Sequence, residues 1–325
     1  MRFSQGFTRR QAGLSMLAMA ASTWLGVAHA SGPVKLILPV SAGSGVDAIA
    51  RAAGGQLSSA LGAPVVIENQ PGAGGVVGTQ AMVKAAPDGS TLSMVSNNHV
   101  IYPSVLKSVP FDPIGDITPI SILAVTPLVI VTRPNFPAKN LAEFRDQLKA
   151  NPGKFNFGSS GNGTILHLAA ELFKDVAGVF STHIPYRGTG PLVSDLMGGQ
   201  VDWAVVALPA IRGLIETGKL KALAVGSAKR IDGFGHLPTA VEQGFDKYVV
   251  EGWVAAVGPK GMNADLVNRT HAGFVKAFSS AEVKDAMAKQ GNTVVLSTPE
   301  VAAAHFKSEM ARYAALVKKA GVVAQ

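Results

Sequence analysis

From Val34 to Val225, short β-branched runs alternate with longer stretches of helical period, and glycine and small polar residues fill several of the strand-to-helix junctions. This rhythm constrains the fold more than any other feature, because a strand, a covering helix and a returning strand build a parallel sheet. Strands are predicted at Val34–Pro39, Val65–Glu68, Thr91–Ser96, Phe155–Gly158, Thr182–Pro185, Val201–Ala207 and Leu220–Val225. Helices are predicted at Val46–Leu61, Gly75–Ala86, Ile165–Val176, Leu192–Met197 and Ile211–Glu216. The rhythm breaks at Ile120–Thr132, which holds two apolar runs with no helix between them, and again at Tyr248–Gly258. Both breaks are expected to cross from one lobe to another. After Pro259 the chain reads as helical over Ala264–Phe278, Ala281–Gln290 and Pro299–Ala320, with a strand at Thr293–Leu296. Two crossings predict an α/β protein with one lobe built from both chain ends, 31–126 and 254–325, and a second, 127–253, inserted between them. Such a pair can hinge at the crossings and close on a small molecule.

The first thirty residues read differently. Arg2, Arg9 and Arg10 precede an apolar stretch over Ala12–Val27, and Ala28-His29-Ala30 has the small-x-small form of a cleavage site. Residues 1–30 are therefore expected to be a secretory leader and the protein to be periplasmic. The Arg9-Arg10 pair suits the twin-arginine route, but Gln11-Ala12-Gly13 follows it where Phe-Leu-Lys is usual, and ordinary secretion stays open. Loss of those three arginines takes the formal net charge from +8 to +5. The remaining charges are scattered rather than blocked with aromatics, which argues against a nucleic-acid partner. At 47% hydrophobic and 15% charged residues the chain can bury a core and is not a disordered sequence. With no cysteine, disulfides, thiolate metal sites and cysteine nucleophiles are excluded.

Four junctions could carry chemistry. In the first, Ser41-Ala42-Gly43-Ser44 follows a strand and opens a helix. Backbone N–H groups at a helix start, together with the helix dipole, favour an anion. Asp47 fits two roles, a ligand contact or the capping partner of Ser44 and ion-pair partner of Arg51. In the second, Ser159-Ser160-Gly161-Asn162-Gly163-Thr164 offers small donors that could wrap a carboxylate. Thr164 also suits a helix cap, and His167 on the next turn suits packing as well as chemistry. The third runs through Tyr186-Arg187-Gly188-Thr189-Gly190-Pro191, with Pro191 expected at the first helical position. There Arg187 could face an acid or solvent. The fourth ends at Ala207, on the strand that starts near Asp202. Asn97, Asn98 and His99 follow the third strand and could add side-chain donors.

Enzyme signatures fail on spacing. Gly72-Ala73-Gly74-Gly75-Val76-Val77-Gly78 has no glycine three after Gly74, so it is not a dinucleotide fingerprint. Gly158-Ser159-Ser160-Gly161 is not a nucleophile elbow, because Asn162 takes the last place. A serine site assembled only in space, with Ser160 as its nucleophile, remains as an alternative.

The stretches Pro39–Arg51, Val66–Gly78, Ala85–Leu92, Gly158–Phe173, His183–Asp202 and Gly218–Val225, in that order, resemble the substrate-binding proteins of tripartite tricarboxylate transporters, also called Bug receptors. The resemblance implies a type II periplasmic-binding-protein fold, with two lobes of parallel-type sheets joined by two crossover strands. It implies capture of a small carboxylate (a di- or tricarboxylate, an aromatic acid or an amino acid) and delivery to membrane permease subunits, by a monomer with no cofactor, no metal and no catalysis. It suggests carboxylate contacts from Ser41, Ala42, Gly43 and Ser44 and from Ser159, Ser160, Gly161, Asn162 and Thr164, to which the junctions read above add Asp47, Asn97, Tyr186, Asp202 and Ala207 as expected ligand contacts. The sequence departs from the family pattern at Val40, where an aromatic is common, at Ser96-Asn97-Asn98-His99, and at Trp203. The rival readings are an exported serine-type hydrolase and a sensor that presents its ligand to a membrane kinase.

Overall fold

Five helices begin alike, with a small polar side chain accepting the third amide of the helix: Ser44 from Asp47, Asn140 from Glu143, Thr164 from His167, Asn263 from Leu266 and Ser280 from Val283. Each cap satisfies a donor that helix geometry leaves unpaired, so the helix starts are written into the sequence. The computed structural model describes residues 32–319, 321, 322 and 324, and the leader expected over 1–30 lies outside them.

The strands are β1 (Val34–Leu38), β2 (Val65–Asn69), β3 (Thr91–Ser96), β4 (Ile117–Thr132), β5 (Asn156–Ser159), β6 (Thr182–Pro185), β7 (Trp203–Ala207), β8 (Lys221–Val225), β9 (Glu251–Pro259) and β10 (Thr293–Val294). The helices are α1 (Gly45–Leu61), α2 (Val76–Val83), α3 (Asn98–Val105), α4 (Leu141–Ala150), α5 (Ile165–Ala177), α6 (Thr189–Met197), α7 (Leu208–Glu216), α8 (Ala264–Ser279), α9 (Ala281–Lys289) and α10 (Pro299–Lys319). Two helices go beyond the sequence reading. Pro103 inside α3 disguises that helix, whereas α4 shows Leu141, Phe144 and Leu148 buried at helical spacing. Pro191 is the third residue of α6, not the first, because Gly188 caps a helix that begins at Thr189.

The strands join in the order β2-β1-β3-β9-β4-β7-β5-β6, with β8 and β10 also pairing β4. The pairs β1/β2, β1/β3, β5/β6 and β5/β7 are parallel, as strand–helix alternation requires. The sheet as a whole is mixed, because β4 and β9 run antiparallel to their neighbours. These are the two crossing strands, and no covering helix separates them from the strands they join. β4 pairs with β9 as far as Pro127↔Glu251, then exchanges that partner for β7 and β8 from Leu128–Val129 onward. Prolines within this strand are tolerated where pairing shifts or changes: a register shift follows Pro119, and Pro127 stands at the change of partner. The second crossing is the entry into β9. Gly226 donates to the Leu128 carbonyl at 2.8 Å and accepts from Val250 at 2.9 Å, which ties both crossings together.

Two large apolar cores flank the sheet, and the larger one runs across the crossings, joining Ile37, Val95 and Val100 to the residues around Trp203. In the smaller, Leu36, Leu38, Ile49, Ala53 and Leu57 pack with Phe274, Phe278 and Met287. In the larger, Trp203 is fully buried and meets Phe144, Phe157 and Phe173 at ring separations of 5.4, 5.1 and 5.7 Å. The Trp203 indole donates to Ser181 Oγ at 2.9 Å. This large residue fills the second core and does not approach the cavity described below.

Candidate ligand-binding site

β1 and β5, one on each side of the crossings, both end in loops that open helices, α1 and α5. In a parallel arrangement these carboxyl ends face a common crevice. There a cavity of about 800 Å³ is lined by Val40 and Ser41, by Gly72–Gly75, by Asn98, by Ser160–Asn162 with Thr164, and by Tyr186–Thr189.

Two contacts span the crevice. Thr189 donates its backbone amide to Ser41 Oγ at 3.0 Å. Asn98 accepts the Ile165 amide at 2.8 Å and donates to the Gly74 carbonyl at 3.2 Å. First-turn amides of α5 and α6 thus meet polar side chains from the opposite side. Gly188, at φ 118°, is required here: a Cβ would lie 2.6 Å from Ser41 Oγ and 2.7 Å from Ser41 Cβ. Across from it, Gly72, Ala73, Gly74 and Gly75 all take positive φ, at 133°, 45°, 69° and 120°. Ala73 is strained in this region, and the run bends the backbone into a tight turn against the cavity. Tyr186 donates its hydroxyl to Asp195 Oδ2 at 2.8 Å. Burial, and then the Asp195 carboxylate, push that phenol up to about 12, so it stays protonated. Among the described residues Arg187 is exposed, has no ion-pair or hydrogen-bond partner, and is the one charged side chain lining the cavity.

Residues 49–322 match the family described as Tripartite tricarboxylate transporter family receptor. The chain belongs to this family. It is 36% identical to Protein BugT of Bordetella pertussis over 291 residues, 89% of each chain. It superposes on the periplasmic binding protein BugD with a TM-score of 0.87 at 32% identity, covering 91% of this chain and 99% of that one. A protein of R. palustris solved with adipate gives a TM-score of 0.88 at 28% identity, again covering 91% and 99%. The fold is that of periplasmic binding proteins, and this family is one of solute-binding receptors. Among the described residues no helix is long and apolar enough to cross a membrane.

Of the contacts expected for such a receptor, Ser41, Ser160, Gly161, Asn162, Thr164 and Tyr186 line the one cavity. The rest of the first junction turns away from it. Ala42 and Gly43 are exposed, while Ser44 is buried as the α1 cap. Asp47 is buried under the loop, where it accepts from the Gly43 amide at 2.9 Å, from Arg51 Nε at 2.9 Å and from Asn69 Nδ2 at 3.0 Å. Burial works against its charge, but the bonds from Arg51, Gly43 and Asn69 together hold the carboxyl below its usual range. Asp47 therefore shapes the loop from behind.

Asn97 is fully buried, donating to the Tyr313 hydroxyl at 2.7 Å and accepting the Trp253 amide at 2.9 Å. Its neighbour Asn98 is the one that reaches the cavity, since α3 starts there and turns successive side chains to different faces. Asp202 sits before β7, at the end of the sheet remote from the cavity. It accepts from Arg133 Nε at 3.0 Å and from the Asn156 amide at 2.9 Å. Ala207 caps α7 and packs where a Cβ on Gly45 would come within 2.9 Å. Ser159 is fully buried, and its hydroxyl lies 2.6 Å from His183 Nε2 while accepting the Gly161 amide at 3.2 Å. Ser160, the candidate nucleophile, donates instead to Thr164 Oγ1 at 3.1 Å. The Gly72–Gly75 turn, Gly188 and Thr189 were not among the expected contacts, whereas Asn98 and Arg187 were weighed as possible donors without being chosen. The signal for the first was a third glycine-rich strand-to-helix junction, set aside once its spacing failed as a nucleotide motif.

Proposed function

We propose that the chain is an exported periplasmic receptor that captures a small dicarboxylate in this crevice and delivers it to the membrane permease subunits of a tripartite transporter. The observation that carries the proposal is the charge of the cavity wall. The N-terminal, positive ends of the α5 and α6 dipoles lie at the cavity wall, at Thr164 and Thr189, and Arg187 supplies a full positive charge. Among the described residues lining the cavity there is no Asp or Glu. An ammonium group would find no carboxylate partner among those lining residues, so the charge pattern favours a diacid over an amino acid. Adipate in a relative is of the favoured class.

The mechanism is capture without bond making or breaking. One carboxylate engages the loops of one side, and closure about the β4 and β9 crossings brings up the donors of the other. The solute shifts the open–closed balance by its extra affinity for the closed form. A charge-assisted hydrogen bond is worth roughly 1.5–3 kcal/mol, so a few of them reach the approximately 8 kcal/mol of micromolar binding. A thermal-shift screen of mono-, di- and aromatic carboxylates tests the proposal. Dicarboxylates should raise Tm with the logarithm of excess ligand, and no response across the panel would contradict it.

A further inference from the structure

Beneath the Ser159–Thr164 loop lies a side-chain cluster that the capture mechanism leaves unused. The rings of His167, on α5, and His183, on β6, stack with centroids 3.9 Å apart and planes 8° from parallel. Each ring holds one part of the loop. Gly163 donates its amide to His167 Nδ1 at 3.0 Å, which needs a lone pair on that nitrogen. In that arrangement the ring proton sits on Nε2, which faces Glu171 Oε1 at 3.7 Å. His183 Nε2 meets Ser159 Oγ at 2.6 Å, and that hydroxyl accepts the Gly161 amide at 3.2 Å and lies 3.1 Å from the Gly161 carbonyl, so its hold on Gly161 does not depend on the His183 proton. Between the two anchored glycines stands Asn162, on the cavity wall. Resting on the receptor reading of that cavity, we propose that His167, stacked on His183, is a positioning residue that holds the Gly163 end of the loop in its ligand-binding shape while Nδ1 keeps its lone pair and releases it on protonation, so that acidification weakens capture.

The surroundings of the pair bear this out. The charged groups facing it are Glu171 and Lys174, both on α5. β5 contributes the Phe157 ring, stacked 4.8 Å from His183, and the loop contributes Ser159. Glu171 is already committed to Lys174, with bonds of 2.8 and 2.9 Å. A new proton on His167 would go to Nδ1 and set one donor against another at Gly163. A proton on His183 would place a cation on the face of its partner ring. Burial above all holds the His183 imidazole down to about 4, so the ring that bears on the loop near pH 5 is His167. Gly161 and Gly163, at φ 134° and 69°, rely on the two anchors to keep the loop in one conformation.

The test is the Kd for adipate by calorimetry at about pH 7.5 and about pH 5, either side of the ordinary histidine range, in the wild type and in His167→Asn. The asparagine oxygen can take the Gly163 amide but cannot ionise in this range. Protonation of adipate itself is common to both proteins and cancels in the comparison. The wild type should lose roughly tenfold more affinity than the variant, the scale of one lost anchor. Equal losses would overturn the role of His167. A second measurement needs neither ligand nor variant: in the wild type, the Gly163 amide resonance should move with the same midpoint as the His167 ring. A Gly163 resonance that stays still through that titration would also overturn the proposal. If no carboxylate binds at about pH 7.5, the receptor reading fails, and the Gly163 titration still decides the role of His167.

Discussion

Ser41 and Thr189 are 148 residues apart in sequence, yet the Ser41 hydroxyl accepts the Thr189 amide at 3.0 Å across the crevice. The bond joins the loop after β1 to the start of α6, so it can form only when the two sides are close. Ser41→Ala should weaken carboxylate binding roughly threefold to tenfold, the worth of one hydrogen bond, with little change in Tm. Calorimetry and a melting curve on the same sample check both parts. A fall in Tm with affinity unchanged would make the bond structural only.

Adjacent asparagines should separate stability from binding. Asn97→Ala strands the buried Trp253 amide and Tyr313 hydroxyl and should cost about 1–3 kcal/mol of stability. Asn98→Ala removes a half-exposed side chain that links Gly74 to Ile165 and should lower affinity instead. Urea unfolding and ligand titration of the two variants should show opposite profiles.

Gly188→Ala places a methyl group against Ser41 and forces an L-residue to φ 118°. Backbone strain of this kind costs about 1–3 kcal/mol. Relief by parting the two loops should reduce affinity by more than tenfold while far-ultraviolet circular dichroism stays unchanged.

Acid should unfold the protein partly through Asp47. Its carboxyl sits below the usual range in the folded state, so the unfolded chain takes up the proton first as pH falls. The stabilisation is therefore complete above about pH 4 and is lost as pH drops through the lower folded value. Asp47→Asn should be less stable than the wild type at neutral pH and should lose less further stability in that acid window, as followed by urea midpoints against pH.

Much of the fold was legible because its signals are local. Ser44 and Thr164 announce helix starts, and β-branched runs between glycine turns announce the parallel pairs. The crossings were visible as apolar runs without a helix, but not the antiparallel pairing they impose, since register across β4 depends on partners more than 100 residues away, such as Pro127↔Glu251. For the site, Ser41 and Ser160–Asn162 stood out because small residues at helix starts already suggest anion binding. Which of Asn97, Asn98 and His99 faces the site was obscured by the phase of α3, a helix hidden by its own proline. Asp47 and Asp202 looked like site residues because acids near glycine loops attract notice, yet each is used to fasten backbone. No local pattern marks Ser159 as the partner of His183, because that contact exists only after β5 and β6 pair.

The central claim is that the crevice between Ser41 and Thr189 receives a dicarboxylate. The most direct test is to titrate adipate into isotopically labelled protein and follow backbone amide resonances. Shifts should concentrate at Gly72–Gly75, Ser160–Gly163 and Arg187–Thr189. Saturable binding with those resonances unmoved, and shifts centred on another surface, would contradict the account.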